Sequence, residues 1–189
     1  MLGGANRPLE GAIRWADVEM QQPRLAELGR LKLGGPGVVL VGTIRRDGSP
    51  RLSPVEPLFW QGDLWLSMGW ESRKAGDLTR DPRILVHSIV TRRDGSEGEY
   101  KVCGRAVPET DPTVQARYSR EVEEKQGWKP EVGRFHLFLV DVEDITFTRW
   151  DDATNDQFVT RWPAGVEFVR RGTSATSQGP PEPISDLLD

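Results

Sequence analysis

The feature that most constrains this chain is a succession of short apolar, β-branched runs separated by tight-turn signals. Val38–Ile44 is such a run, and Asp47-Gly48 after it is a strong hairpin signal. Arg51–Trp60 reads as a second strand. Gln61-Gly62-Asp63 turns the chain again, and Leu64–Met68 reads as a third. Connections this short predict an antiparallel meander. Further strands are predicted at Arg83–Val90, Glu99–Val107, Phe135–Val142, Ile145–Trp150 and Gln157–Trp162. Strands and helices do not alternate regularly, so a parallel sheet is not expected. The pattern predicts a mainly β chain with peripheral helices (α+β), closed or partly closed into an antiparallel barrel.

Three helices are predicted outside the strands. Trp15–Leu33 is mostly helical, with Pro23 where a helical segment can begin and Leu25, Leu28 and Leu31 on one face. Ser72–Arg80 is short and ends at Asp81-Pro82. Asp111-Pro112 caps a third helix that runs to about Lys125, with Val114, Tyr118 and Val122 on one face. Residues 1–14 are Gly-rich and are expected to form a flexible leader. Residues 172–189 are rich in Ser, Thr, Gly and Pro and are expected to form a flexible tail. A single domain is expected over residues 15–171, within a 189-residue chain long enough to bury a core.

The net charge of −4 argues against a nucleic-acid partner, which selects for basic faces. An oligonucleotide-binding barrel is disfavoured for the same reason. The one cysteine, Cys103, allows no internal disulfide and no thiolate cluster. The two histidines, His87 and His136, stand apart in apolar strands, so no metal site is expected. No basic start followed by an apolar run opens the chain, and no apolar stretch is long enough for a membrane-spanning helix. A cytoplasmic location is expected.

Two stretches carry the chemistry. Ser72-Arg73-Lys74-Ala75-Gly76-Asp77-Leu78 puts two cations in the first turn of a helix, where each costs roughly 0.3–1 kcal/mol against the dipole. A bound phosphate reverses that sign, because the helix N–H groups and both cations converge on it. A solvated surface pair is the alternative. Asp47-Gly48-Ser49-Pro50-Arg51-Leu52-Ser53-Pro54-Val55 puts Arg51, Ser53 and Val55 on one face of a strand and Leu52 on the other. Pro54 cannot donate to a ladder, which predicts an edge or a bulge there. Trp60, Trp65 and Trp70 suit a ring-shaped ligand site, a subunit interface or an aromatic core.

The order of these pieces, followed by Tyr100-Lys101-Val102-Cys103-Gly104-Arg105-Ala106, resembles the FMN- and deazaflavin-binding split β-barrels related to pyridoxamine 5′-phosphate oxidase. The resemblance covers residues 37–107 well and 134–171 more loosely. It implies an antiparallel split β-barrel of the FMN-binding type and a homodimer with cofactor sites between subunits. It also implies a flavin-dependent oxidoreductase acting on a small molecule, with FMN, or alternatively the deazaflavin F420, as cofactor. By that resemblance Arg51, Leu52, Ser53, Pro54 and Val55 border the cofactor ring. Ser67 and Met68 lie near the ribityl chain or phosphate. Ser72, Arg73 and Lys74 bind the phosphate, and Lys101 is a further candidate. Trp162 and Arg171 match residues contributed by the other subunit. Arg45, Arg46, Arg92 and Arg93 are candidates for a groove that takes the longer deazaflavin tail.

The chain departs from the oxidases proper at Glu99, where they carry Gln. It departs again after Trp162, where their Arg and His pair is missing. The substrate therefore stays open, and no catalytic side chain is assigned. The alternative is a non-catalytic split barrel that binds flavin or haem.

Overall fold

The computed structural model describes residues 11–185 and 187–188. Residues 1–10, most of the expected leader, lie outside the described residues.

The turn signals act as expected at the first hairpin. β1 (Val39–Ile44) pairs antiparallel with β2 (Pro50–Val55), from Ile44 opposite Pro50 to Val39 opposite Val55. Gly48 supplies the left-handed backbone of the turn at φ +84°. The next expectation is corrected. Arg51–Trp60 is not one strand: it breaks at Glu56 into β2 and β3 (Pro57–Trp60). β3 pairs with β4 (Asp63–Gly69) through the Gln61-Gly62 turn, while among the described strands β2 pairs only with β1. Pro54 and Pro57 flank the break, and neither can donate to a ladder.

α3 (Arg73–Arg80) leads into β5 (Arg83–His87), then β6 (Glu99–Glu109) and α4 (Pro112–Gln126). Asp111 caps α4 by accepting from the Thr113 N–H at 2.7 Å, and Gly127 ends it at φ +77°. β7 (Phe135–Trp150) is one 16-residue strand where two were expected. Its first residues pair with β4 and its last with β8 (Gln157–Trp162), while β6 runs along its other edge. A register shift between Cys103 and Gly104 absorbs the bend. There a Cβ on Gly104 would sit 1.9 Å from the Asp141 carbonyl oxygen. β9 (Val166–Ser174) and β10 (Ser177–Pro183) extend the sheet. They place residues 172–174 and 177–183, from the segment expected as a tail, in strand pairing.

The full order is β10-β9-β8-β7-β6-β5-β1-β2, with β4 on β7 and β3 on β4. The run β2-β1-β5-β6-β7-β4 curls so that its two end strands come near each other without pairing. This unpaired seam is the split of the barrel, and the fold is the α+β split barrel expected.

α1 (Trp15–Gln21) and α2 (Pro23–Gly29) plug the barrel with Trp15, Leu25 and Ala26, and Tyr100 donates its hydroxyl to the Leu25 carbonyl at 2.9 Å. A second core lies under α4, where Trp60 and Trp65 pack with Tyr118, Val122 and Phe135. Two of the three clustered tryptophans are thus core. Trp70 remains 47% exposed and stacks on His136, with ring centroids 5.2 Å apart. No described helix is long and apolar enough to cross a membrane.

Candidate functional site

The seam between β2 and β4 opens into a cleft of about 510 Å³, within the roughly 300–1,000 Å³ of small-molecule sites. β2 contributes Pro54 and Val55, and the end of β4 contributes Ser67, Met68 and Gly69. Val55 and Met68 are buried and give the cleft an apolar floor. Lys74 enters from the first turn of α3, its Nζ 3.5 Å from the Pro54 carbonyl oxygen. The fourth wall is the loop between α4 and β7, with Trp128, Lys129, Pro130, Glu131 and Arg134.

Beside the cleft, on the other flank of α3, lies a more open groove of about 540 Å³. Arg45, Arg46, Arg51, Arg73 and Arg80 line it, against only Asp47 and Asp77. Asp77 organises this wall. It is buried, and its Oδ2 accepts from Arg51 Nε at 2.6 Å and from Thr43 Oγ1 at 3.0 Å, while Arg80 stands 3.5 Å from Oδ1. Burial alone would raise its pKa, but the hydrogen bonds from Arg51 and Thr43 and the Arg51 charge together carry it below the usual value.

The residues singled out in the sequence divide among these places. Pro54, Val55, Ser67, Met68 and Lys74 come together in the cleft. Arg51 and Arg73 line the groove, so the consecutive cations Arg73 and Lys74 face different openings on either side of one helix end. Ser72 caps that helix, accepting from the Ala75 N–H at 3.4 Å. Ser53 is half-buried on one face of β2, and Leu52, 63% exposed on the other, is not among the residues of either opening.

Lys101 is not among the residues of either opening. It is ion-paired with Glu99 on β6, and Glu99 Oε2 also lies 3.2 Å from His87 Nε2. Trp162 is buried in the core of its own chain, with its Nε1 donating to Gln21 at 3.2 Å. Arg171 pairs with Asp156 at 2.8 Å. Arg45 and Arg46 join the groove, whereas Arg92 and Arg93 line a separate shallow opening with Asp94 and Asp152. Among the described residues no cluster of His, Cys, Asp and Glu is arranged to hold a metal.

Sequence reasoning passed over the α4–β7 loop. Its signal is an aromatic and a cation held between two glycines, with a second cation directly after, in Gly127-Trp128-Lys129-Pro130-Glu131-Val132-Gly133-Arg134, after a helix stop. Nothing in the local pattern says that this loop meets the seam.

Residues 29–149, which carry both openings, match the family described as pyridoxamine 5′-phosphate oxidase. No protein with a curated description matches the sequence. Among solved structures, a conserved hypothetical protein from Mycobacterium tuberculosis is similar at a TM-score of 0.55 and 20% identity, over 67% of this chain and 84% of its own. A Clostridium acetobutylicum protein related to general stress protein 26 is similar at 0.54 and 14% identity, over 79% and 97%. The general stress protein 26 of Bacillus anthracis is similar at 0.50 and 20% identity, over 64% and 91%. At these identities the likeness is one of fold.

Proposed function

This chain belongs to the pyridoxamine 5′-phosphate oxidase family, and from that premise we propose that it is a flavin-dependent oxidoreductase of a small-molecule substrate, binding FMN in the seam cleft. One observation carries the reading. A cation in the first turn of α3, Lys74, shares a single cleft with the β2 segment Pro54-Val55 and the β4 end Ser67-Met68. A cation at a helix N-terminus opposes the dipole unless an anion joins it. An apolar floor beside it suits a planar ring.

The residues present fit such a group. Lys74 and the α3 N–H groups would hold the phosphate, with Ser72 keeping that helix end in place. Val55 and Met68 would pack on the ring system. β2 is an edge strand with no partner beyond β1 among the described strands, so the main chain around Pro54 borders the cleft rather than another ladder. When bound, a flavin supplies hydride chemistry that no side chain here offers, and the protein supplies orientation and exclusion of water.

The groove supports one refinement. Five arginines against two aspartates flank the phosphate end of the cleft. A cofactor with a longer anionic tail, such as a deazaflavin, could extend into it past the start of α3. A homodimer fits the outer face of β2, where Leu52 stands exposed on an edge strand.

The absorption spectrum of the purified protein tests the reading. Two visible bands are expected for oxidised FMN, and a single band would indicate the deazaflavin. A Soret band, or a protein that stays colourless after incubation with both cofactors, would overturn it.

A further inference from the structure

We propose that the α4–β7 loop is the substrate-recognition wall of the cleft, with Trp128 stacking on a planar substrate and Arg134 pairing with a carboxylate or phosphate that it carries. The word substrate here rests on the flavin reading, while the recognition chemistry rests on the loop alone.

The loop is held in shape by buried polar groups. Ser119, on the inner face of α4, donates its hydroxyl to the Pro130 carbonyl at 2.6 Å. Gln115 accepts from the Gly133 N–H at 3.1 Å, and its own amide donates to the Glu109 carbonyl at 3.1 Å. Ser119 and Gln115 are both buried, so these bonds are shielded from water. The turn closes with the Arg134 N–H donating to the Glu131 carbonyl at 2.9 Å, and Gly133 takes the left-handed backbone at φ +77°. Two buried side chains and a glycine thus fix a surface loop in which Pro130 is buried while Trp128, Lys129, Glu131 and Arg134 stay exposed. Holding a loop's backbone by buried hydrogen bonds while its outer side chains stay open to the cleft supplies the supporting shell of a binding wall.

What the loop presents is a recognition pair. Trp128 lines the cleft while remaining 41% exposed. An indole left at the edge of a cleft offers a face for stacking. Arg134 also lines the cleft and has no side-chain hydrogen bond or ion pair among the described residues. Its loop neighbour Lys129 is by contrast engaged by Glu123 at 2.6 Å. Arg134 precedes Phe135, which pairs with Gly69 at the lip of the cleft. A planar guanidinium fork fits carboxylate and phosphate oxygens two at a time.

Isothermal titration of the protein as purified, with its cofactor content read from the spectrum, tests this with three probes of one shape. They are 1-naphthoate, naphthalene-1-methanol and naphthalene-1-methylamine. Naphthoate is expected to bind about tenfold tighter than the alcohol, the effect of one charge-assisted hydrogen-bonded pair. Arg134→Ala is expected to erase that preference. Trp128→Ala is expected to weaken naphthoate and the alcohol alike by about tenfold, with Trp128→Phe weakening them less. Tightest binding of the amine, no measurable binding of any probe, or a naphthoate affinity indifferent to Arg134→Ala would each overturn the proposal. So would loss of cofactor in Arg134→Ala, which would move Arg134 to the cofactor. A protein that stays colourless after incubation with both cofactors yet selects naphthoate through Arg134 refutes the flavin reading and leaves the wall standing. A yellow protein blind to Arg134→Ala does the reverse.

Discussion

Arg51 on β2 and Asp77 on α3 meet at 2.6 Å, joining the strand that borders the seam to the helix that opens on it. Both side chains are largely shielded, and Thr43 on β1 completes the Asp77 shell. Removing one member leaves the other uncompensated. Asp77→Ala is expected to lower the unfolding free energy by about 3 kcal/mol, near the low end for breaking a buried pair. Urea denaturation measures this. A loss under about 1 kcal/mol would class the pair with surface ion pairs.

The same carboxylate predicts a pH dependence. Its folded pKa lies below the ordinary 3.8. A depressed carboxylate contributes stability that is fully present above the unfolded pKa and is lost as pH falls through the folded one. Wild type and Asp77→Asn are therefore expected to differ most in melting temperature above pH 5. The gap should narrow below pH 4, and a gap that stays constant down to pH 2 would contradict the linkage.

Lys74 and Arg73 face different openings, so their loss is not expected to be equal. The double variant Lys74→Ala, Arg73→Ala should weaken FMN binding by about 2–5 kcal/mol, as for a desolvated charge pair. Lys74→Ala alone should account for most of it. Equal single effects, or unchanged affinity in the double variant, would remove the phosphate from the cleft side of α3.

The arginine groove is expected to distinguish the two proposed cofactors. Arg46→Ala is expected to weaken deazaflavin binding by about tenfold and to reduce its salt dependence. FMN, with one phosphate, should be unaffected. Equilibrium dialysis of both cofactors at low and high salt gives the comparison.

Gly104 sits where β6 bends against β7. Gly104→Ala would press a methyl carbon into the Asp141 carbonyl, at 1.9 Å without relaxation. The expected cost is about 3 kcal/mol or more, because the obstacle is backbone and cannot swing aside. Chemical denaturation reads it, and a change within 0.5 kcal/mol of zero, on the order of an ordinary surface substitution, would show that the bulge adapts.

Local pattern was enough for most elements. The turn at Asp47-Gly48, the cap at Asp111 and the helix stop at Gly127 each rest on one residue's conformational preference, which neighbours in sequence reveal. Five cleft residues, Pro54, Val55, Ser67, Met68 and Lys74, were marked by the family resemblance and not by local pattern, and the structure lines one cleft with them. Pairing partners are another matter. Glu56 splits an apparent strand because its two halves serve different ladders, and β7 runs unbroken past Glu143-Asp144 because β4 and β8 share its one edge. Both outcomes depend on strands distant in sequence.

By itself, the order of apolar runs and turn residues determined that this chain is mainly antiparallel β with a cationic start to one short helix, since short-range sterics and alternation suffice for that. Only the tertiary structure decided that Arg73 and Lys74 part around α3, that Arg51 is held by Asp77, and that Trp128 and Arg134 complete the cleft. Those facts arise where segments dozens of residues apart close on one seam, and a side chain's charge or shape says nothing of its partner until the sheet has curled.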